Sequence, residues 1–169
     1  MALPDEANQQ EALEVIREVF GEDLSSAATA DAERAIVNQA IEATKTIDDE
    51  GAEFTLFEFA RERAVEAGDF QLALRIVDQL SERYRIDDLQ MKSDTLLRAA
   101  STAEALDQRM AIVEAAKPLI AKALSAGRLQ TAKQLVDSTL EVAKKTGDFN
   151  LAKQILNLKK EVEAKLGAG

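Results

Sequence analysis

The sequence predicts an all-α protein of antiparallel helical hairpins, about seven helices in all. Three observations carry this. Apolar residues recur at steps of three and four along most of the chain, the spacing that lines one face of a helix. The composition sets 30 alanines against 7 glycines and 2 prolines, so local propensity favours helix, and no run of alternating β-branched residues argues for a strand. Finally, the chain breaks sharply at Gly68-Asp69, Gly127-Arg128 and Gly147-Asp148. Glycine takes the left-handed conformation that closes a helix, and an aspartate after it accepts from the free amides that open the next. A link this short makes the two helices antiparallel.

Taken in order, Pro4 with Asp5 and Glu6 reads as a helix start, because proline suits the first turn and acids suit the positive end of the dipole. That helix presents Leu13, Ile16 and Phe20, with Gly21 as its expected end and Ser25-Ser26-Ala27-Ala28-Thr29 as a linker. A second helix over about 31–47 shows Ile36, Ala40, Ile41, Thr44 and Ile47 on one side, and Asp48-Asp49-Glu50-Gly51 closes the pair. Residues 54–84 form the hairpin around which the chain is organised, holding four of the six phenylalanines. Its first helix aligns Phe54, Phe57, Ala60 and Ala64; its second aligns Phe70, Ala73, Val77, Leu80 and Tyr84. Leu72 and Ile76 add another apolar stripe to the second helix, which places it at the centre of the fold.

Arg85-Ile86-Asp87 reads as a turn, with Asp87 capping a shorter helix that carries Leu89, Leu96, Leu97 and Ala100. Ser101 followed by Glu104 fits a capping box for the next helix. There Leu106, Met110, Val113, Ile120 and Leu124 keep phase across Pro118, which predicts one kinked helix with Met110 as core filler, or two helices meeting at Lys117. The last helix shows Leu151, Ile155, Leu158, Val162 and Leu166, so the C-terminal third is an up-down-up array. Gly167-Ala168-Gly169 reads as a natural tail or a cloning remnant.

With 169 residues, 46% hydrophobic and 31% charged, the chain suits one helical domain over 1–169, divisible at 1–50, 51–101 and 102–169, or two small subdomains. No apolar run approaches the roughly 20 residues that span a bilayer, and residues 1–10 lack the pattern of a signal peptide. The chain thus reads as soluble, with no membrane insertion. The absence of cysteine and histidine removes disulfides, thiolate metal sites, the commonest general base and the commonest transition-metal ligand. A Glu-x-x-His di-iron site is impossible, and no glycine pair has the spacing of a phosphate loop.

The acidic turn at Asp48-Asp49-Glu50-Gly51 is the one stretch that invites a metal reading. An EF-hand calcium loop needs glycine sixth and glutamate twelfth, whereas Gly51 is fourth and Phe59 twelfth counted from Asp48, so a capped, solvated turn is preferred. Net charge is −10, unevenly placed: residues 1–84 carry 20 acids and 7 bases, residues 85–169 carry 11 acids and 14 bases. That disfavours nucleic acid and anionic membrane as partners of the whole and favours a basic protein or peptide. Lys144, Lys145, Lys153, Lys159 and Lys160 form a local basic cluster, read first as solvated helix faces.

The three glycine turns share a signature. Ala64, Ala123 and Ala143 stand four before the glycine, and Ala73, Ala132 and Ala152 five after it. Phe70, Leu129 and Phe149 are second after it, and Ile76, Leu135 and Ile155 eighth. Small residues beside a tight turn let two helices approach closely. On Ala-Gly-Asp-Phe-Gln-Leu-Ala-Leu and Thr-Gly-Asp-Phe-Asn-Leu-Ala-Lys the chain resembles the tetratricopeptide-like helical-hairpin family, and similar segments recur in large exported bacterial proteins. The resemblance implies a right-handed helical array. The glycines lie 59 and 20 residues apart rather than at the family's period of about 34, which leaves an irregular bundle as the other arrangement. The family's peptide-contacting positions have no counterparts here.

These readings assign no catalytic, cofactor-binding or metal residue and no cofactor. The expected function is a non-enzymatic protein-protein interaction or scaffold domain, a module of a larger protein. A passive spacer is the alternative, and an exposed apolar groove would separate the two, since a spacer has no use for one. An enzyme would have to rest on carboxylates, lysine, tyrosine or backbone dipoles; Tyr84, the single tyrosine, sits on a core stripe, and paired carboxylates such as Glu58 with Glu62, one helical turn apart, are the form such a site would take.

Overall fold

A computed structural model describes residues 1–27 and 29–168 and shows, among them, eight α-helices and no strand. These are α1 (Glu6–Ser26), α2 (Ala30–Thr44), α3 (Glu50–Glu66), α4 (Phe70–Arg83), α5 (Asp88–Thr102), α6 (Leu106–Ser125), α7 (Leu129–Thr146) and α8 (Phe149–Gly167). They fall into two compact units, Met1–Asp88 and Leu89–Gly169.

Within the first unit α3 is the hub, touching α1, α2 and α4. Its sequence explains why: Phe54, Leu56, Phe57, Phe59, Ala60, Ala64 and Val65 are buried around the whole helix, not along one stripe. This corrects the expectation that α4 is central. α4 buries Phe70, Ala73, Ile76, Val77, Leu80 and the following Tyr84 against its partner, while Gln71, Arg75, Asp78, Gln79 and Glu82 are exposed. α1 adds Ala12, Ile16 and Phe20, the last ring lying 5.3 Å from Phe59. α1 and α3 approach closely at Gly51, where a Cβ would stand 3.2 Å from the Cβ of Asn8.

A polar clamp joins α3 to the end of α4. The Tyr84 ring packs edge-on against Phe54 at 5.1 Å, and its hydroxyl reaches Glu53 Oε2 at 2.8 Å and the Glu50 carbonyl at 3.0 Å. Arg83 pairs with the other Glu53 oxygen and lies 5.5 Å over the Phe57 ring. Glu53 is therefore buried with both carboxylate oxygens engaged.

In the second unit α7 is the middle helix, packed on α6 and α8, which also touch each other. The Thr131 hydroxyl donates to Gln90 Oε1 at 3.3 Å and ties α7 to α5. Asp137 bridges α7 to α8, accepting from Lys133 and Lys159 at 2.6 Å each. Those two hydrogen bonds, with the lysine charges, hold its carboxyl below the ordinary value of 3.8.

The three glycine turns adopt the predicted geometry, with φ of 73° at Gly68, 70° at Gly127 and 76° at Gly147. At the first two, the amide after the glycine returns to the alanine carbonyl four before it: Asp69 to Ala64 at 2.8 Å and Arg128 to Ala123 at 2.9 Å. That is the Schellman closure. The third turn differs. Asp148 N donates to Thr146 Oγ1 at 3.1 Å, and that hydroxyl donates to the Ala143 carbonyl at 2.7 Å, so a side chain relays the bond. Asp69 and Asp148 then cap α4 and α8 through the amides of Leu72 and Leu151, as their sequence implied.

Several boundaries depart from expectation. α1 runs through Gly21 to Ser26, because one glycine in a helix interior costs only about 1 kcal/mol. Of the expected linker, Ser25 and Ser26 are helical, Thr29 caps α2, and Ala28 lies outside the described residues, as does Gly169 of the expected tail. Ser101 forms no capping box; its hydroxyl returns to the Arg98 carbonyl inside α5, and the reciprocal bond comes from Gln108, whose Oε1 accepts from Ala105 N at 3.2 Å. α6 is one helix across Pro118, but Met110 is 43% exposed and Leu106 53% exposed, so neither is core filler.

The glycines give a paired prediction of opposite sign. Neither Gly21 nor Gly127 has an atom within 4 Å of where a Cβ would go, so backbone conformation alone decides. Gly21→Ala should stabilise the chain by about 0.5–1 kcal/mol. Gly127→Ala, forced to keep φ of 70°, should cost about 1–2 kcal/mol. Urea midpoints moving in the same direction for both would contradict this account.

Candidate functional site

α1 leaves an apolar concavity on the first unit. Ala12, Ile16 and Phe20 turn inward, while Val15 and Val19, one residue earlier, stand 54% and 67% exposed. Together with Ala43 and Ile47 of the α2 end, and Ala52 and Leu56 of α3, they line an open apolar groove of about 380 Å³. Leu56 and Phe20 are buried at its floor. Its charged lining residues are Glu11 and Asp49, both acidic, and Asn8 completes it. The groove exists because α1 carries apolar residues on two faces and only one of them meets α3. That signal is present in the sequence as Val15 and Val19 beside the stripe of Leu13, Ile16 and Phe20.

The other flank of α1 forms a more polar cleft of about 390 Å³ with Leu13, Phe54 and Phe59 among Glu6, Gln9, Gln10, Glu58 and Glu62. The two carboxylates considered for chemistry thus face the same cleft. Glu58, however, accepts from Arg61 at 3.0 and 3.2 Å, an ion pair along the helix. In the acidic turn, Asp49 Oδ1 accepts from Ala52 N at 2.7 Å and caps α3. Tyr84 lies in the core as read. Burial, then the negative charge of Glu50, raises its hydroxyl above the ordinary value of 10.0, with Arg83 opposing.

On the second unit, Phe149 breaks the turn signature. Phe70 is buried at the equivalent place, but Phe149 is 76% exposed. It joins Leu140, Ala152 and Leu156, itself 41% exposed, in a shallow apolar patch of about 410 Å³ whose charged lining residues are Lys144, Lys153 and Lys160. Of the basic cluster, Lys144 also pairs with Glu141 at 2.6 Å, and Lys159 turns away to Asp137. No helix of the described residues is long and apolar enough to cross a membrane. No family model, curated protein or solved structure matches the chain, so a functional reading rests on these surfaces.

Proposed function

We propose that the chain is a non-enzymatic interaction module of helical-hairpin type, tetratricopeptide-like in its turns, which holds an amphipathic helix with basic flanks in the α1 groove. The single observation carrying this is the groove itself: Val15 and Val19 expose apolar surface beside a floor of Leu56 and Phe20, and the charges lining it are acidic. An amphipathic helix lays an apolar stripe into such a groove, and its cationic flanks answer the surrounding carboxylates. A passive spacer gains nothing from exposed valines at this position.

The test uses a designed leucine-lysine amphipathic peptide and its leucine-glutamate counterpart. The lysine peptide should bind, more tightly at low salt than at about 150 mM, where screening acts beyond roughly 8 Å. It should shift the methyl resonances of Val15, Val19, Ile47 and Leu56, and Val19→Glu should weaken it on the order of tenfold. Equal binding of both peptides, or shifts confined elsewhere, would leave the spacer as the better account.

A further inference from the structure

We infer that the occupant of the α1 groove is α8 of a second copy of this chain, an inference that rests on the groove reading above. α8 has two apolar faces. Leu151, Ile155 and Val162 are buried within their own unit, while Phe149, Lys153, Leu156 and Lys160 follow one another at steps of four, three and four on an outer stripe. A helix apolar on two faces is ordinarily covered on both. The outer stripe is thus itself a basic amphipathic surface, the chemistry that the acidic groove calls for.

Charge and length agree. Residues 1–88 carry 22 acids and 8 bases, and residues 89–169 carry 9 acids and 13 bases, so the groove and the patch belong to units of opposite sign. The groove follows α1 from Asn8 to Phe20, about 18 Å at 1.5 Å per residue, and the stripe from Phe149 to Lys160 is about 16 Å long. Seating Phe149 and Leu156 on Val15, Val19 and Leu56 would cover the most exposed aromatic of one copy with the apolar rim of another. Lys153 and Lys160 would then lie near Glu11 and Asp49. Each copy offers one groove and one stripe, so the contact is heterologous and closes into a ring or continues as a chain.

The test is complementation between two surface variants of the full chain, each checked for helicity by circular dichroism. Phe149→Asp spoils the stripe and spares the groove; Val19→Glu does the reverse. Sedimentation at about 20 mM salt should show the unmodified chain associating, with each variant weakened on the order of tenfold. Mixing the two should restore a heterodimer, since one intact groove and one intact stripe remain. About 500 mM salt should dissociate it. A chain that stays monomeric at millimolar concentration, association that neither variant weakens, or a mixture that does not recover would overturn the inference. A monomer that still binds the leucine-lysine peptide loses the second copy but keeps the groove as a docking site; one that binds neither loses both.

Discussion

Leu135→Ala is expected to cost about 2–5 kcal/mol, the range for truncating a fully buried leucine. Leu135 has no exposed surface and sits on α7, the helix that both α6 and α8 pack against. Its side chain occupies the eighth position after the turn glycine, the place taken by Ile76 and Ile155, which are equally buried. Leu129, at the second position, is only half-buried and should lose less on truncation. Urea unfolding followed through the methyl resonances of Val113, Val136 and Ile155 would measure the effect within the second unit. A loss below about 1 kcal/mol would mean that the site collapses around the smaller side chain, contrary to a close-packed core at this position.

Tyr84→Phe should cost about 1–3 kcal/mol, because it leaves the buried Glu53 Oε2 without its donor. The same residue sets an alkaline limit. Its folded hydroxyl titrates above 10.0, so the unfolded chain loses the proton first. Stability from this group is therefore complete below pH 10 and declines as pH rises from there towards the folded value. The chain has one tyrosine and no tryptophan, so phenolate absorbance reports Tyr84 alone. The unmodified chain should lose stability above about pH 10 and the phenylalanine variant should lack that part of the slope. Identical alkaline profiles for the two would show that burial and the negative charge of Glu50 do not hold the hydroxyl in the protonated state.

Much of the architecture was legible because its signals are local. A Gly-Asp pair states its own backbone conformation and its own cap, as at Gly68 and Gly147, while Gly127, followed by Arg128, takes the same conformation without a side-chain cap. The helices followed from apolar spacing, including the continuous α6, since the stripe kept phase on both sides of Pro118. What spacing could not rank is which of two apolar faces meets a neighbour. Met110 lay in phase with Val113 and is exposed, while Val37, outside the expected α2 stripe, is fully buried. The same ambiguity hid the groove: Val15 and Ile16 are adjacent in sequence and equivalent in hydropathy, and only the placement of α3 decides that one is rim and the other core. Phe149 matched its turn signature perfectly in sequence yet has no surface to cover it within its unit.

The two turns at Gly127 and Gly147 give α7 a constraint of angular phase. Each residue rotates a helix by about 100° and lengthens it by about 1.5 Å. One residue inserted between Leu129 and Thr146 would swing the second turn by more than a quarter revolution relative to the first, and α8 would lose the side on which it meets α6. Seven residues, nearly two full turns, would bring the turn back to within about 20°. The 20-residue interval between the two glycines is in this sense quantised: α7 can gain or lose length in heptads and still return the chain to the same side, whereas single-residue insertions belong in the loop before α6.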